Sequence, residues 1–301
     1  MDKVFRFFRL SRPLLLLGGV LLYTLGTGVA RYLGNLIDWN SYFLGLAWVL
    51  LVQLGMIYLN EYFGESPLID DSGKNSLSGG LGIYGRGGIP RNVLLAAAFT
   101  AYAVAASLTV LLIQQPGFTS PTLVFMLVIF LGTFTMVVPP VRLVNSGYGE
   151  IVSVILFSNL VPAMAYLFQT GDLHRVLAMV TFPLTFLQLA MLLSFELPYY
   201  AQDLKYGRQT LLARAGWETG MRLHNIFLLL AYLVLGLAAV FGLPLSISLP
   251  GFLTFPLAIF QIWYMNRIAG GAKPNWRLLT FVASAIYVLT AYLFAFALWT
   301  R

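Results

Sequence analysis

Two clusters of carboxylate and carboxamide side chains, 135 residues apart, are where this chain can do chemistry. The first holds Asn60, Glu61 and Glu65; Asn60 and Gly64 share one helix face, and Glu61 and Glu65 share another. The second holds Glu196, Tyr199 and Asp203, spaced i, i+3 and i+7 on one face. The first cluster is followed by Ser78-Gly79-Gly80-Leu81-Gly82, then Arg86 and Arg91; the second by Lys205, Arg208 and Arg214. A glycine-rich turn lets backbone N–H groups approach an anion, and arginines clamp phosphate oxygens. Magnesium is typically held by one or two carboxylates together with substrate phosphates. Carboxylates interleaved with basic residues therefore suit a divalent cation that bridges protein and a diphosphate.

The elements that carry these clusters are apolar. Of the 301 residues 59% are hydrophobic and only 10% charged, against about 25% charged in a soluble domain. Such a chain cannot cover a globular surface with charge, so the lipid bilayer must be its solvent. A span needs about 20 apolar residues, and nine candidates qualify: Pro13 to Ala30, Ser41 to Phe63, Asn92 to Ile113, Pro121 to Val138, Ile151 to Phe168, Val176 to Phe195, Leu223 to Phe241, Leu249 to Tyr264 and Leu278 to Trp299. The expected architecture is a single all-α polytopic domain over residues 1–301. With a cytoplasmic N-terminus, all 18 basic residues except Arg31, Arg175 and Arg301 fall on the cytoplasmic side. That bias is the positive-inside signature and implies an extracytoplasmic C-terminus. It also accounts for the net charge of +7 as loop charge, with no nucleic-acid partner. Without cysteine there is no disulfide or thiolate metal site, and His174 and His224 alone leave zinc or haem short of ligands. The N-terminus lacks a small-residue cleavage site, so no removable signal peptide is expected.

Acidic residues are lopsided too: of eleven, only Asp38 and Asp172 fall on the extracytoplasmic side. The positive-inside rule says little about acids, so this asymmetry calls for another reason. Gln53-Leu54-Gly55-Met56-Ile57 runs parallel to Gln188-Leu189-Ala190-Met191-Leu192, and the same offset maps Glu61 onto Glu196. Four spans separate the copies, which suggests two four-helix pseudo-repeats plus one helix. A lone ionisable residue at a helix end more often just meets water; two clusters at matching positions read as a site.

At these residues the sequence resembles the UbiA-type intramembrane prenyltransferase superfamily. The resemblance runs through Ser11-Arg12-Pro13, Asn60-Glu61-Tyr62-Phe63, Ser78-Gly79-Gly80, Pro139-Pro140-Val141-Arg142-Leu143, Gly147-Tyr148-Gly149-Glu150, Glu196-Leu197-Pro198-Tyr199-Tyr200-Ala201-Gln202-Asp203 and Gly207-Arg208-Gln209-Thr210-Leu211. No one element is specific; the ordered set is. It is most similar to the branch that prenylates 1,4-dihydroxy-2-naphthoate for menaquinone biosynthesis. The resemblance implies nine helices around a central cavity, Mg2+ as cofactor, and transfer of an isoprenyl group from a prenyl diphosphate to an aromatic (quinone-precursor) or lipid acceptor at the cytoplasmic face. It implies catalytic roles for Asn60, Glu61, Glu196 and Asp203. Lys74, Arg86, Arg91, Lys205 and Arg208 become candidates for the diphosphate. Arg142 and Glu150 are expected to line or cap the same region, or else to serve as a loop ion pair or helix cap.

The chain departs from the family pattern at matching positions. Where the first motif resembles N-D/E-x-x-D-x-x-x-D, Gly64 and Leu68 occupy the last two aspartate positions; where the second resembles D-x-x-x-D, Tyr199 occupies the first. Each change removes an oxygen that magnesium favours. Glu65, Asp70 and Asp71 lie close enough in sequence to compensate, alongside Glu61, Glu196 and Asp203 as metal ligands. Two outcomes stay open: an active enzyme with a displaced metal site, or a member that binds an isoprenoid without catalysis. A small-molecule transporter is the rival from another class. Transporter sites lie near the midplane, whereas the charge here sits at one end of the spans. The mid-span polar residues Gln53 and Gln188 read as hydrogen bonds between helices, and Gly18-Gly19 and Gly26-x-Gly28 as close-packing positions. A purely structural membrane subunit would leave the paired acidic clusters unexplained.

Overall fold

A computed structural model of the chain describes Phe7 and residues 10–64 and 89–301. Nine helices among the described residues are long and apolar enough to cross a membrane. They are α1 (Pro13–Tyr32), α2 (Trp39–Phe63), α3 (Arg91–Ile113), α4 (Ser120–Val137), α5 (Gly149–Thr170), α6 (Arg175–Glu196), α7 (Trp217–Val240), α8 (Leu245–Ala269) and α9 (Trp276–Trp299). No strand occurs among the described residues; Ser146 and Gln209 form an isolated parallel bridge. The count of spans is the one expected from sequence. Glu65, Asp70, Asp71, Lys74, Arg86 and the Ser78–Gly82 run lie outside the described residues.

The helices pack mainly against their neighbours in sequence, except that α4 packs on α2 rather than on α3. Each of α1 and α2, α2 and α3, α4 and α5, α5 and α6, α6 and α7, α7 and α8, and α8 and α9 are in contact, and α9 returns to α1. The most extensive pairings are α2 with α3 and α6 with α7. Small residues decide how close the central helices come. A Cβ on Gly26 of α1 would lie 2.1 Å from the backbone carbonyl of Pro162 in α5, and one on Gly19 would lie 2.2 Å from Oε1 of Gln53. In a bilayer such close approach replaces the hydrophobic drive between helices, because lipid is as apolar as leucine. Outward faces carry exposed Phe99, Val110, Leu127, Leu233 and Phe281. Such an apolar surface belongs against lipid tails.

Prolines shape two of the spans. In α5 the backbone widens into a π turn over Ile155–Leu160 just before Pro162. A proline inside a helix lacks an N–H and its ring crowds the carbonyl four residues back, and a π turn relieves that conflict. The eighth span runs Leu245–Ala269, longer than the expected Leu249 to Tyr264. Pro250 and Pro256 do not end it. They divide it into Leu245–Phe252 and Phe255–Ala269, joined at Leu253 and Thr254. At that break the hydroxyl of Thr254 reaches the carbonyl of Gly251 (2.9 Å), Tyr232 Oη (2.9 Å) and Thr290 Oγ1 (2.7 Å). The Gly251 carbonyl at the break is thus satisfied by Thr254, whose hydroxyl is in turn held by Tyr232 of α7 and Thr290 of α9, as a lipid environment demands. The expected interhelical role of Gln188 is also present: its Oε1 accepts from Ser158 Oγ at 2.5 Å, and Ser158 lies 3.1 Å from Tyr287 Oη.

Candidate active site

Consecutive spans cross alternately, so the C-terminal ends of α2 and α6 lie at the same end of the bundle. Both acidic clusters are therefore at that end. The opposite end is closed by different contacts, including Arg31 Nε to the carbonyl of Trp299 (3.1 Å) and the Asp38 N–H to Gln169 Oε1 (2.8 Å). Asp38 also caps α2, accepting from Ser41 Oγ and from the N–H groups of Asn40 and Ser41. Those bonds, the Ser41 hydroxyl foremost, hold its carboxyl below the usual aspartate range.

The first cluster sits on the last turn of α2. Glu61 is buried, and one of its oxygens lies 2.6 Å from the guanidinium of Arg12. Arg12 stands at the N-cap of α1 in a left-handed conformation, with φ of 49°. The chain turns sharply there, immediately before Pro13. The preceding Ser11 hydroxyl lies 2.8 Å from Tyr58 Oη, one helical turn before Glu61. The Ser11-Arg12-Pro13 opening is thus docked onto the first cluster. Sequence reasoning listed the opening among the family elements and missed that its arginine pairs with Glu61. Asn60, beside it, is half-buried. Gly64 ends α2 with φ of −57°, a conformation open to any residue.

The second cluster is assembled from three segments. α6 continues past Glu196 as a tight turn, Leu197–Tyr199, and a short helix, Tyr200–Lys205, which carries Asp203. The next short helix, Leu211–Ala215, has Thr210 as its N-cap, accepting from the Ala213 N–H at 3.1 Å. Glu196 Oε2 accepts from the Leu212 N–H at 2.9 Å, so this carboxylate also caps that helix. Asp203 is buried, near the Thr210 hydroxyl and 3.9 Å from the guanidinium of Arg208. The third segment is the start of α5. There Glu150 brings its carboxyl within hydrogen-bonding reach of Glu196 and within electrostatic range of Asp203. Glu150 Oε2 and Gln202 Oε1 are buried and lack a protein hydrogen-bond partner.

The basic residues are distributed around this cluster. Lys205 ends the short helix, its ammonium 5.5 Å from the ring centroid of Tyr206. Arg208 is exposed beyond its contact with Asp203. Arg142 is half-buried at the turn after α4, with φ of 37°, and Arg91 is exposed at the first residue of α3. Arg214 faces the other way: its guanidinium stacks 4.5 Å from the ring centroid of Tyr148 and donates to the Ser146 carbonyl at 2.9 Å. It ties the turn before α5 to the connection after α6.

The donors at Glu150, Glu196 and Asp203 are all hard oxygens, the kind magnesium takes. The buried Glu150 oxygen without a protein partner is consistent with a cation there. Among the described residues, no three carboxylates or imidazoles converge as a ready-made metal site. The arrangement therefore fits a cation held by a carboxylate pair and completed by a ligand, the usual manner for magnesium with phosphates.

No protein-family model matches the chain. No curated protein matches it in sequence. Solved structures do match in fold. A UbiA homolog from Archaeoglobus fulgidus bound to GPP and Mg2+ aligns with a TM-score of 0.66 at 16% identity, covering 98% of this chain and all of that one. The same homolog bound to DMAPP and Mg2+ aligns with a TM-score of 0.57 at 14% identity over 96% of this chain. A structure of digeranylgeranylglyceryl phosphate synthase aligns at 0.64 and 13% identity over the full length of both chains. At these identities the likeness is one of architecture, and by that measure the chain has a UbiA-like fold.

Proposed function

We propose that the chain is an intramembrane prenyltransferase, moving an isoprenyl group from a prenyl diphosphate to an aromatic quinone precursor or a lipid acceptor. The observation that carries this reading is the carboxylate group Glu150, Glu196 and Asp203, with Arg208 beside it, at the end of α6 in a UbiA-like fold. Two structures of that fold hold a prenyl diphosphate with Mg2+. In the reaction, the allylic C–O bond to diphosphate breaks, a bond to the acceptor forms, and the acceptor loses a proton.

Residues of this chain would hold the metal through Glu196 and Asp203, with Asn60 and Glu61 of the first cluster as further ligands. Magnesium bound there would supply Lewis-acid neutralisation of the departing diphosphate. Arg208 and Lys205 bind phosphate oxygens, joined by Lys74, Arg86, Arg91 and Arg142 from the neighbouring connections. The apolar helices exclude water from the reacting carbon, which protects an allylic cation from hydrolysis. The sequence elements favour the 1,4-dihydroxy-2-naphthoate branch, with the site at the cytoplasmic face.

One observation favours a second reading, isoprenoid binding without transfer. Glu61 is engaged by Arg12, and Gly64, Leu68 and Tyr199 have no carboxylate to offer. A single assay separates the two. Purified protein is incubated with labelled prenyl diphosphates, Mg2+ and a panel of aromatic and lipid acceptors, with and without chelator. Transfer reads out as a prenylated acceptor that disappears with chelator. Binding of the diphosphate with no product under any acceptor supports the second reading.

A further inference from the structure

Glu150 reaches the site from α5, a helix outside the two-motif pattern. The pattern's second motif lacks its first carboxylate here, because Tyr199 occupies that position. A phenol is a poorer ligand to magnesium than a carboxylate. A carboxylate is nevertheless present, supplied by Glu150 within hydrogen-bonding reach of Glu196.

Two carboxylates facing each other need something between them. Like charges that close repel each other even in a partly screened site. A shared proton or a cation relieves this. The proton satisfies one O–H···O contact and leaves Glu150 Oε2 and Gln202 Oε1 buried without partners. A buried acceptor left without a partner is destabilising. A small divalent cation would use the Glu150 oxygen, because its coordination shell takes carboxylate oxygens. Placement of Glu150 is not accidental either. The turn before α5 is fixed by Arg214, which stacks on Tyr148 and donates to the Ser146 carbonyl, and by the Ser146–Gln209 bridge. Gly147, with φ of 75°, packs against the Arg214 side chain, where a Cβ would meet Cδ at 2.1 Å. These contacts join the start of α5 to the connection that carries Asp203 and Arg208.

We propose that Glu150 is a magnesium ligand of this chain and, paired with Glu196, takes over the role of the carboxylate absent at Tyr199. The proposal rests on the prenyltransferase reading for the identity of the metal. Its test does not rest on turnover.

Mn2+ is the probe, and the free ion is counted by electron paramagnetic resonance in titrations of detergent-solubilised full-length protein. Wild type should bind Mn2+, with Mg2+ competing. Glu150→Gln should weaken Mn2+ binding by tenfold or more while thermal unfolding shows a folded protein. The double variant Glu150→Gln/Tyr199→Asp, which returns a carboxylate to the family position, should recover most of that loss. Equal Mn2+ affinity in wild type and Glu150→Gln overturns the proposal, leaving a shared proton as the role of the pair. Absence of Mn2+ binding by wild type overturns it as well. Prenyl transfer, measured separately, judges the other reading. A wild type that transfers while Glu150→Gln keeps its metal affinity defeats the ligand assignment alone. Metal loss in Glu150→Gln with no transfer by wild type defeats the prenyltransferase reading alone.

Discussion

Arg12 and Glu61 meet at 2.6 Å across the ends of α1 and α2, with the glutamate side chain 3% exposed and the arginine 25%. This contact fastens the first turn of the chain's first span to the cluster with which α2 ends. Removing one partner of such a pair strands the other charge in a poorly solvated place, which costs about 3 kcal/mol. Arg12→Ala should therefore lower thermal stability in detergent clearly, whereas Arg12→Ala/Glu61→Gln should lower it far less. Equal losses in the two variants would show that the pair contributes packing and not charge compensation.

A second stability prediction concerns the break in α8. Thr254 is buried and within hydrogen-bond distance of Tyr232, Thr290 and the Gly251 carbonyl. Thr254→Val keeps the shape and removes the hydroxyl, leaving Tyr232 Oη and the freed carbonyl with one partner fewer. The loss should be about 2 kcal/mol. Thr300→Val, at an exposed helix end, should change stability by less than about 0.5 kcal/mol. Thermal unfolding of the two variants side by side provides the comparison.

The spans were legible in the sequence because hydrophobic length and loop charge are properties of the chain alone. Even so, the eighth span was expected too short. Its expected limits, Leu249 to Tyr264, enclosed Pro250 and Pro256; the span starts at Leu245 and runs to Ala269, with Thr254 at the break held by Tyr232 and Thr290. The acidic clusters were legible as clusters, since helical spacing puts Glu196 and Asp203 near each other. Their partners were not. Arg12 lies 49 residues from Glu61, and Glu150 lies 46 from Glu196. No local periodicity links such pairs; the closure of α1 on α2 and of α5 on α6 creates them. Arg214 shows the reverse case. Its charge suggested a phosphate contact, and its geometry assigns it to Tyr148 and Ser146.

Orientation is the third prediction. With only Arg31, Arg175 and Arg301 at the far end of the bundle, the end bearing both clusters should face the cytoplasm. A reporter active only in the cytoplasm should work when fused at the N-terminus and stay silent at the C-terminus. Activity at the C-terminus would invert the topology and put the clusters on the outer face.

Diphosphate binding supplies the fourth. Arg208 is the basic residue in contact with the buried Asp203. If it holds phosphate oxygens, Arg208→Gln should raise KM for the prenyl diphosphate by about tenfold or more, given the strength of a hydrogen bond to a charged group. Asp203→Ala should instead lower kcat at least about a hundredfold, by removing a charged oxygen from a site already short of them. Unchanged KM in Arg208→Gln would leave the Asp203 contact as that arginine's only role.

The last prediction separates holding the site together from holding the substrate. Arg214 carries the same charge as Arg208 and lies in the same connection, yet its guanidinium is stacked on Tyr148 and bonded to the Ser146 carbonyl. A residue so placed acts on the turn that leads into Glu150. Arg214→Ala should cost about 1–2 kcal/mol of stability, the sum of an exposed cation–π contact and one charge-assisted hydrogen bond. Its effect on function should follow Glu150→Gln, weakening Mn2+ binding several-fold in the absence of any diphosphate. Arg214→Lys, which keeps a cation over the ring and loses the planar donor, should fall between wild type and Arg214→Ala. Tyr148→Leu, which removes the ring under Arg214 and changes no charge, should weaken Mn2+ in the same way. A diphosphate-binding arginine would behave differently, since its loss would spare metal affinity in the substrate-free protein and appear only as raised KM. Measuring Mn2+ affinity without substrate, then KM with it, assigns Arg214 to one role or the other.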